Sequence, residues 1–404
     1  MPKLKELCFL ITDGEHGSVK DDKTGSCFLL SNKNLNNGFI TIDDNDRRIG
    51  IETKNKLNKR TKIGKNTILI STVGTIGKLA FINDDNINYS FQRSVGIIKP
   101  NVNLINPYFL YSLLQTREYQ ERFGQMASGS VQKCIFISGL EELDIKDYAI
   151  DKQNKIGKTF FDIDGLIKNN VDIINSLTNK IKDIFTYWFV DYNFPDSCGN
   201  PYKKNGGVFG ENKLPIGWTY MPFTDNSLFK LVPVGIDIFK GNKIYLSTSQ
   251  VTQDNYDLNA NIITYEKRES RANMQPVINS VWFARMKKSV KHLCFDDSGY
   301  LVNDLILSTG FCGVFCDSIN LEYVYSVINS SWFEETKDVY SSGSTQESIT
   351  DLILSYIKIK IPNKNIIEQF HNATKNDLKA IQKLKHENDV LIKYKSFLLE
   401  TLFK

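Results

Sequence analysis

The sequence predicts an α+β chain: two mixed domains separated by a long antiparallel two-helix coiled coil, arising from an internal duplication of pseudo-twofold character. Three observations carry this. Ser128-Gly129-Ser130-Val131-Gln132 recurs as Ser342-Gly343-Ser344-Thr345-Gln346, an offset of 214 residues. Each copy leads through an apolar run into a long stretch of helical period, and the apolar residues that end those stretches, Trp188 and Leu402, keep the same offset of 214. One spacing shared by separate features marks a repeated unit. Ahead of each copy, short apolar runs alternate with turn residues, which is strand chemistry.

Residues 1–149 form the first expected domain. Its strand-like runs are Cys8-Phe9-Leu10-Ile11, Thr67-Ile68-Leu69-Ile70, Leu79-Ala80-Phe81-Ile82 and Val95-Gly96-Ile97-Ile98, divided by Gly, Asn and Asp clusters. One helix is expected over residues 107–123. Asn106 suits its N-cap, Pro107 its first turn, and Phe109, Leu110, Leu113 and Leu114 its apolar face. From Asp151 the period changes. Ile156, Phe160, Ile163, Ile167, Val171, Ile174, Leu177, Ile181, Ile184 and Trp188 recur three or four apart, as on a coiled-coil seam. No proline interrupts this central helix, 150–192, which at 1.5 Å per residue would be about 55–60 Å long. That length suits a spacer between domains better than a member of one.

Tyr192-Asn193-Phe194-Pro195, Gly199-Asn200-Pro201 and Gly206-Gly207 make 193–213 a linker. The second domain, 214–363, opens with Leu214-Pro215-Ile216-Gly217-Trp218 and continues through Ile236-Asp237-Ile238-Phe239, Val281-Trp282-Phe283-Ala284 and Asp304-Leu305-Ile306-Leu307-Ser308. Helices are expected over 322–328 and 332–339. The last long helix, 364–404, carries Ile367, Phe370, Ile381, Leu384, Leu391, Leu398 and Leu402 on its seam. Two seams of similar length can bury each other antiparallel, with a domain at each end.

Composition sets the function classes. A chain of 404 residues can hold two or three cores. A net charge of +4 permits nucleic-acid binding without demanding it. There is no 18-residue apolar run and no signal-peptide core at the N-terminus, so the expectation is a cytoplasmic protein with no membrane partner. The seven cysteines are scattered and read as reduced core thiols; Cys312 and Cys316 lack a nearby His and make a poor zinc pair. His16, His292, His371 and His386 are dispersed, and no metal site or nucleophile triad emerges. Gly74-Thr75-Ile76-Gly77-Lys78 lacks the glycine spacing and the following Ser/Thr of a phosphate loop. Asn106-Pro107-Tyr108-Phe109 lacks the second proline of an amino-methyltransferase motif. Asp144-Ile145-Lys146 is too short to argue for a nuclease. No catalytic residue and no cofactor are expected in this chain.

DNA reading, the chemistry that the family resemblance given below implies, needs backbone anchors and side chains that reach base edges. In the two repeated turns, Ser128, Gly129, Ser130 and Gln132, and Ser342, Gly343, Ser344 and Gln346, combine close backbone approach with hydroxyl and amide donors. A plain strand-capping turn fits the same residues. Further candidates are His16, Lys78, Gln92, Arg93 and Lys133 in the first domain. In the second they are Lys240, Lys243, Arg285, Lys287, Lys288 and Lys291, the last four forming the most basic short run. Gln92, Arg93, Arg285 and Gln346 have the chemistry best suited to bases. For a lone Lys, a solvated surface position is the ordinary reading.

The chain resembles the specificity subunit of type I restriction-modification enzymes. The residues that carry this are Asp13-Gly14-Glu15-His16, Ile68-Leu69-Ile70-Ser71 with Val73-Gly74-Thr75-Ile76-Gly77-Lys78, Asn106-Pro107-Tyr108-Phe109-Leu110, both repeated turns with their helices, and Leu214-Pro215-Ile216-Gly217-Trp218. The first half lacks that last opening. The resemblance implies two target-recognition domains, each reading half of a split asymmetric site in double-stranded DNA, and paired helices that fix the gap and dock two modification subunits. It also implies restriction subunits as partners, with S-adenosylmethionine, ATP and Mg held in partner chains. Two other readings stay open: a single-chain methyltransferase or nuclease, which would need a cofactor loop or metal carboxylates, and a two-headed scaffold that does not bind DNA.

Overall fold

In a computed structural model the chain folds as two compact units, 1–169 with 388–404 and 170–387. The structure describes residues 1–36, 38–43, 45–129, 133–256, 258, 261–343 and 347–404. Both units mix sheet and helix.

The first unit runs β1 (Cys8–Asp13), β2 (Cys27–Leu30), β3 (Arg48–Ile49), α1 (Ile51–Thr61), β4 (Thr67–Ser71), β5 (Leu79–Ile82), β6 (Tyr89–Phe91), β7 (Val95–Pro100), α2 (Pro107–Leu114), α3 (Arg117–Met126) and α4 (Ile137–Glu141), then enters α5 (Ile150–Phe185). Its main sheet is antiparallel in the order β1-β7-β4-β5; a smaller sheet, β3-β2-β6, pairs β2 and β6 in parallel. The main sheet is covered on both faces, which is why β4 reads as an unbroken apolar run. Alternate residues point to opposite sides. Ile68 and Ile70 join Phe109, Leu113 and Phe123 of the helices, while Leu69 joins Phe28, Leu30 and Phe91 of the smaller sheet.

The second unit runs β8 (Thr219–Pro222), β9 (Phe229–Leu231), β10 (Lys243–Leu246), β11 (Asn261–Ile263), β12 (Ala272–Met274), β13 (Ser280–Ala284), β14 (His292–Phe295), β15 (Leu305–Ser308), β16 (Phe311–Cys316), α6 (Leu321–Ile328), α7 (Ser331–Tyr340), α8 (Asp351–Leu354) and β17 (Lys358–Ile361) before α9 (Lys364–Leu402). Its main sheet, β9-β16-β13-β14, is also antiparallel, and its second sheet, β11-β10-β15-β12, pairs β10 and β15 in parallel. Val281 and Phe283 face the helices; Trp282 and Ala284 face the second sheet. The main sheets of the two units share strand order and directions, and the second sheets share three strands, with β12 added in the second unit.

Four expectations change. The helix expected over 107–123 is two. Asn106 Oδ1 caps α2 by accepting from the Phe109 N–H at 2.9 Å, but Thr116 adopts an extended ψ of 152° and starts α3 afresh. α1 was absent from the sequence reading, because its only firm apolar anchor is Leu57, packed against Cys27, Leu29 and Ile49. Ile236-Asp237-Ile238-Phe239 forms no strand; no neighbouring strand satisfies it, and Ile238 is left 79 % exposed. Val171 leaves the seam, at 39 % exposed, and Asn170 is buried at that step instead.

The other seam residues of α5 are covered: Ile156, Phe160, Ile163, Ile167, Ile174 and Ile181 are buried, and Leu177, Ile184 and Trp188 are half-buried. On α9, Phe370 and Ile381 are buried and Leu384, Leu391, Leu398 and Leu402 half-buried. Within the first unit Phe160 stacks on Phe403, with centroids 5.9 Å apart, and the Asp164 carboxylate lies 2.7 Å from Lys395 Nζ. Within the second, Lys180 pairs with Asp377 at 2.8 Å and Phe185 meets Phe370 at 6.3 Å. In each unit the α9 partner number falls as the α5 number rises, so the two helices run antiparallel there. Tyr108 O–H donates to the same Asp164 at 2.7 Å and ties α2 to this pair. All seven cysteines are free thiols.

Candidate nucleic-acid interface

In the first unit, one edge of the main sheet gathers most of the residues singled out above. β1 ends there, β7 begins there, and the β4–β5 turn closes there. Backbone bonds knit the loops: Gly14 N–H donates to Val95, Arg93 N–H to Glu15 at 2.9 Å, Thr72 N–H to Ser94, and Gly74 N–H to Lys133. Ser128 and Cys134 exchange both backbone bonds, at 3.0 and 2.8 Å, which pins the repeated turn beside Val73. His16, Lys78, Arg93, Ser128, Gly129 and Lys133 are exposed on this edge, and Gln92 is half-exposed. His16 Nε2 sits 2.7 Å from Asp13 Oδ2, so its ring is already engaged. Gly129 has φ +120°, a conformation open to glycine and rarely to other residues.

The second unit builds the matching edge. Ser342 and Ser348 exchange backbone bonds, Lys287 N–H donates to Glu347, Arg285 N–H to Gly310, and Gly343 has φ +139°. The repeated glycine is thus demanded by the turn in both copies. Ser130 and Gln132, and Ser344 and Gln346, lie outside the described residues.

The basic run 285–291 does not present four equivalent cations. Arg285 is turned inward: Nη2 lies 2.7 Å from Asp351 Oδ1, while Nη1 and Nε donate to the carbonyls of Ile349 and Phe311. In this arrangement the guanidinium braces the strand end. Lys287 pairs with Glu347 at 2.8 Å, and Lys291 donates to the Thr248 carbonyl, burial lowering its pKa. Lys288, at φ +57°, is the exposed tip. Lys240 and Lys243 are not brought to this edge; Lys243 starts β10, at the end away from Thr248, with Nζ 4.9 Å from the Phe239 ring.

Beneath the 285–291 loop lies a cluster that the sequence reading missed. Lys337, with no exposed surface, donates to the carbonyls of Ala284 at 3.2 Å and Ser289 at 2.9 Å. Its Nζ is also 2.6 Å from Glu334 Oε2, off the hydrogen-bonding direction, so this contact is an ion pair rather than an aligned bond. Glu334 Oε1 meets His292 Nε2 at 2.8 Å. Burial would push the Glu334 carboxyl up, but the bond with His292 and the Lys337 ammonium outweigh it and hold the group below its ordinary value. The signal was available: Lys337 stands four residues after Phe333, on the apolar face of α7. In the first unit the positions 214 earlier are Gln120 and buried Phe123; Gln120 Nε2 donates to the Gly77 carbonyl at 3.2 Å and steadies the corresponding turn without a charge.

Among the described residues no group of His, Cys, Asp and Glu could hold a metal ion, and no helix is long and apolar enough to cross a membrane.

Residues 14–183 match the family described as the type I restriction modification DNA specificity domain. A type I restriction enzyme HindI specificity subunit of Haemophilus influenzae is 31 % identical over 121 residues, 29 % of this chain and 26 % of the relative. The EcoBI specificity subunit of Escherichia coli is 27 % identical over 168 residues, 40 % of this chain and 35 % of the relative. These matches span about a quarter to a third of the relatives' own length. The crystal structure of a type I restriction-modification S subunit from M. genitalium shares the fold, with a TM-score of 0.55 at 14 % identity, covering 100 % of this chain and 95 % of that one. The resemblance read from the sequence therefore holds: residues 14–183 match the type I restriction modification DNA specificity domain, and the chain is similar to type I specificity subunits.

Proposed function

We propose that this chain is the DNA-reading, non-catalytic subunit of a type I restriction-modification complex. Each unit reads one half of a split, asymmetric site in double-stranded DNA. The observation that carries this is the recurrence of one presentation scheme. Two sheets of identical order each offer a turn with a positive-φ glycine at the same edge, while the side chains around it differ. A duplicated scaffold with diverged edges is what two different half-sites require.

On this reading residues 1–149 and 214–363 are the target-recognition domains and 193–213 a linker. The helices 150–192 and 364–404 pair as an antiparallel coiled coil that sets the gap and docks two modification subunits. Catalysis belongs to those subunits, with S-adenosylmethionine, and to restriction subunits with ATP and Mg. The exposed Lys78, Lys133 and Lys288 contact phosphate, and Gln92 and Arg93 reach base edges.

Genome-wide mapping of methylated adenines, with and without the gene, tests the proposal. A split motif should vanish on deletion; an unchanged methylome in cells that express the gene would sink it. Exchanging residues 214–362 for those of another family member should alter one half of the motif only. A change in both halves would overturn the assignment of one domain to one half-site.

A further inference from the structure

We infer that α1 is a second DNA-contacting element, one that only the first unit possesses. The inference rests on the DNA-reading proposal and extends it to residues outside the repeated scheme. Residues 51–62 carry Lys54, Lys56, Lys59, Arg60 and Lys62 against the single acid Glu52, a surplus as large as the whole chain's net +4. The helix packs through Leu57, and Lys54 is folded back onto the Ile87 carbonyl. Lys56, Lys59 and Lys62 point away, exposed, and none of them has an acidic partner among the described residues. Many basic side chains elsewhere do: Lys5, Lys33, Arg47, Lys158 and Lys287 each hold a carboxylate.

The helix is also docked at the candidate edge. Arg60 Nη2 donates to the carbonyls of Asp13 and Gly14, at 3.0 and 2.7 Å, and Nη1 to Thr12 Oγ1. Gly14 and Glu15 are the residues hydrogen-bonded to Val95, Phe91 and Arg93. Arg60 thereby holds α1, with its exposed lysines, beside the loop that carries His16 and Arg93. Lys56 and Lys59 are about 4.5 Å apart along the axis, and Lys62 caps the end of the helix. The second unit has no helix between β11 and β12; the corresponding stretch is irregular chain.

Contacts of this kind carry affinity, not sequence. The test is the salt dependence of binding by the full-length chain to a fluorescein-labelled 40-bp duplex holding its methylation motif, and to a scrambled duplex. Replacing Lys56, Lys59 and Lys62 together by Gln should reduce the slope of log K against log[salt] by about 2–3, equally on both duplexes, with the preference between them kept. The corresponding Lys→Arg triple variant should retain the slope. Lys→Gln at the exposed Lys203, Lys213 and Lys364 serves as the control for lost charge. An unchanged slope in the α1 variant, or an equal drop in the control, overturns the α1 assignment while leaving DNA reading intact. A wild-type chain with no salt-dependent duplex binding overturns both.

Discussion

The two units hold one topology with different materials, and their central strands show how. In the first unit β4 places Leu69 opposite Ile97 of β7. At the same place in the second, β13 places Trp282 opposite Gly313 of β16. Both pairs face the layer between the sheets. A Cβ on Gly313 would lie 2.6 Å from the Trp282 ring, so the glycine is there because the tryptophan is. Two medium side chains in one unit stand where the other has one large and one absent. What the two units share is a filled layer between their sheets and the strand order of their main sheets, while the residues differ. The edge diverges in the same manner: a neutral Gln120 steadies one turn, a buried Lys337–Glu334–His292 cluster the other.

The largest test of this comparison removes 388–404. That segment belongs to the first unit and supplies Lys395 to Asp164 and Phe403 to Phe109 and Phe160. Hydrogen exchange should show loss of protection across 1–149 while β13 and β16 stay protected; equal loss in both units would contradict their separateness. Next, Lys337→Ala leaves Glu334 buried without its cation and two carbonyls unbonded, which should cost about 3–5 kcal/mol by denaturant unfolding and loosen 285–291. Gln120→Ala, its neutral counterpart in the first unit, should cost about 1 kcal/mol. Gly313→Ile should cost about 3 kcal/mol or more, and adding Trp282→Leu should recover most of it, to within about 1.5 kcal/mol of wild type. A double mutant no better than the single would mean that the two copies fill their layers independently of this exchange.

The smallest effect is acidic. Glu334 has a folded pKa below its unfolded value of about 4.3, so its contribution is present above that pH and fades as pH falls through the folded value. Exchange at 285–291 should quicken on that descent, and Glu334→Gln should flatten the response. The first unit's turn, held by Gln120, should show no matching change.

Much of this architecture was legible in the sequence for a plain reason: period and turn chemistry are local. Val281-Trp282-Phe283-Ala284, the Asn106–Pro107 cap and the seam from Ile156 to Trp188 each announce themselves within a few residues. The candidate edge was only half legible. A run such as Arg285-Met286-Lys287-Lys288 looks uniformly basic, yet Arg285 ends a strand beside Asp351 and Lys288 tips a turn, and that difference depends on residues some 60 positions away. α1 escaped because one leucine anchors it, too little to set a period. Lys337 escaped because a lysine in an amphipathic helix is ordinarily read as solvent-facing, whatever face it stands on.

The split of the first unit between 1–169 and 388–404 has a consequence in time. A ribosome makes residues 170–387 before it makes Phe403, whose ring is needed to close the core around Phe109 and Phe160. The half of the chain that is translated first is therefore completed last. Until then Phe160 and the buried face of α5 stand open in the nascent protein, and this interval is when the chain has most need of a chaperone.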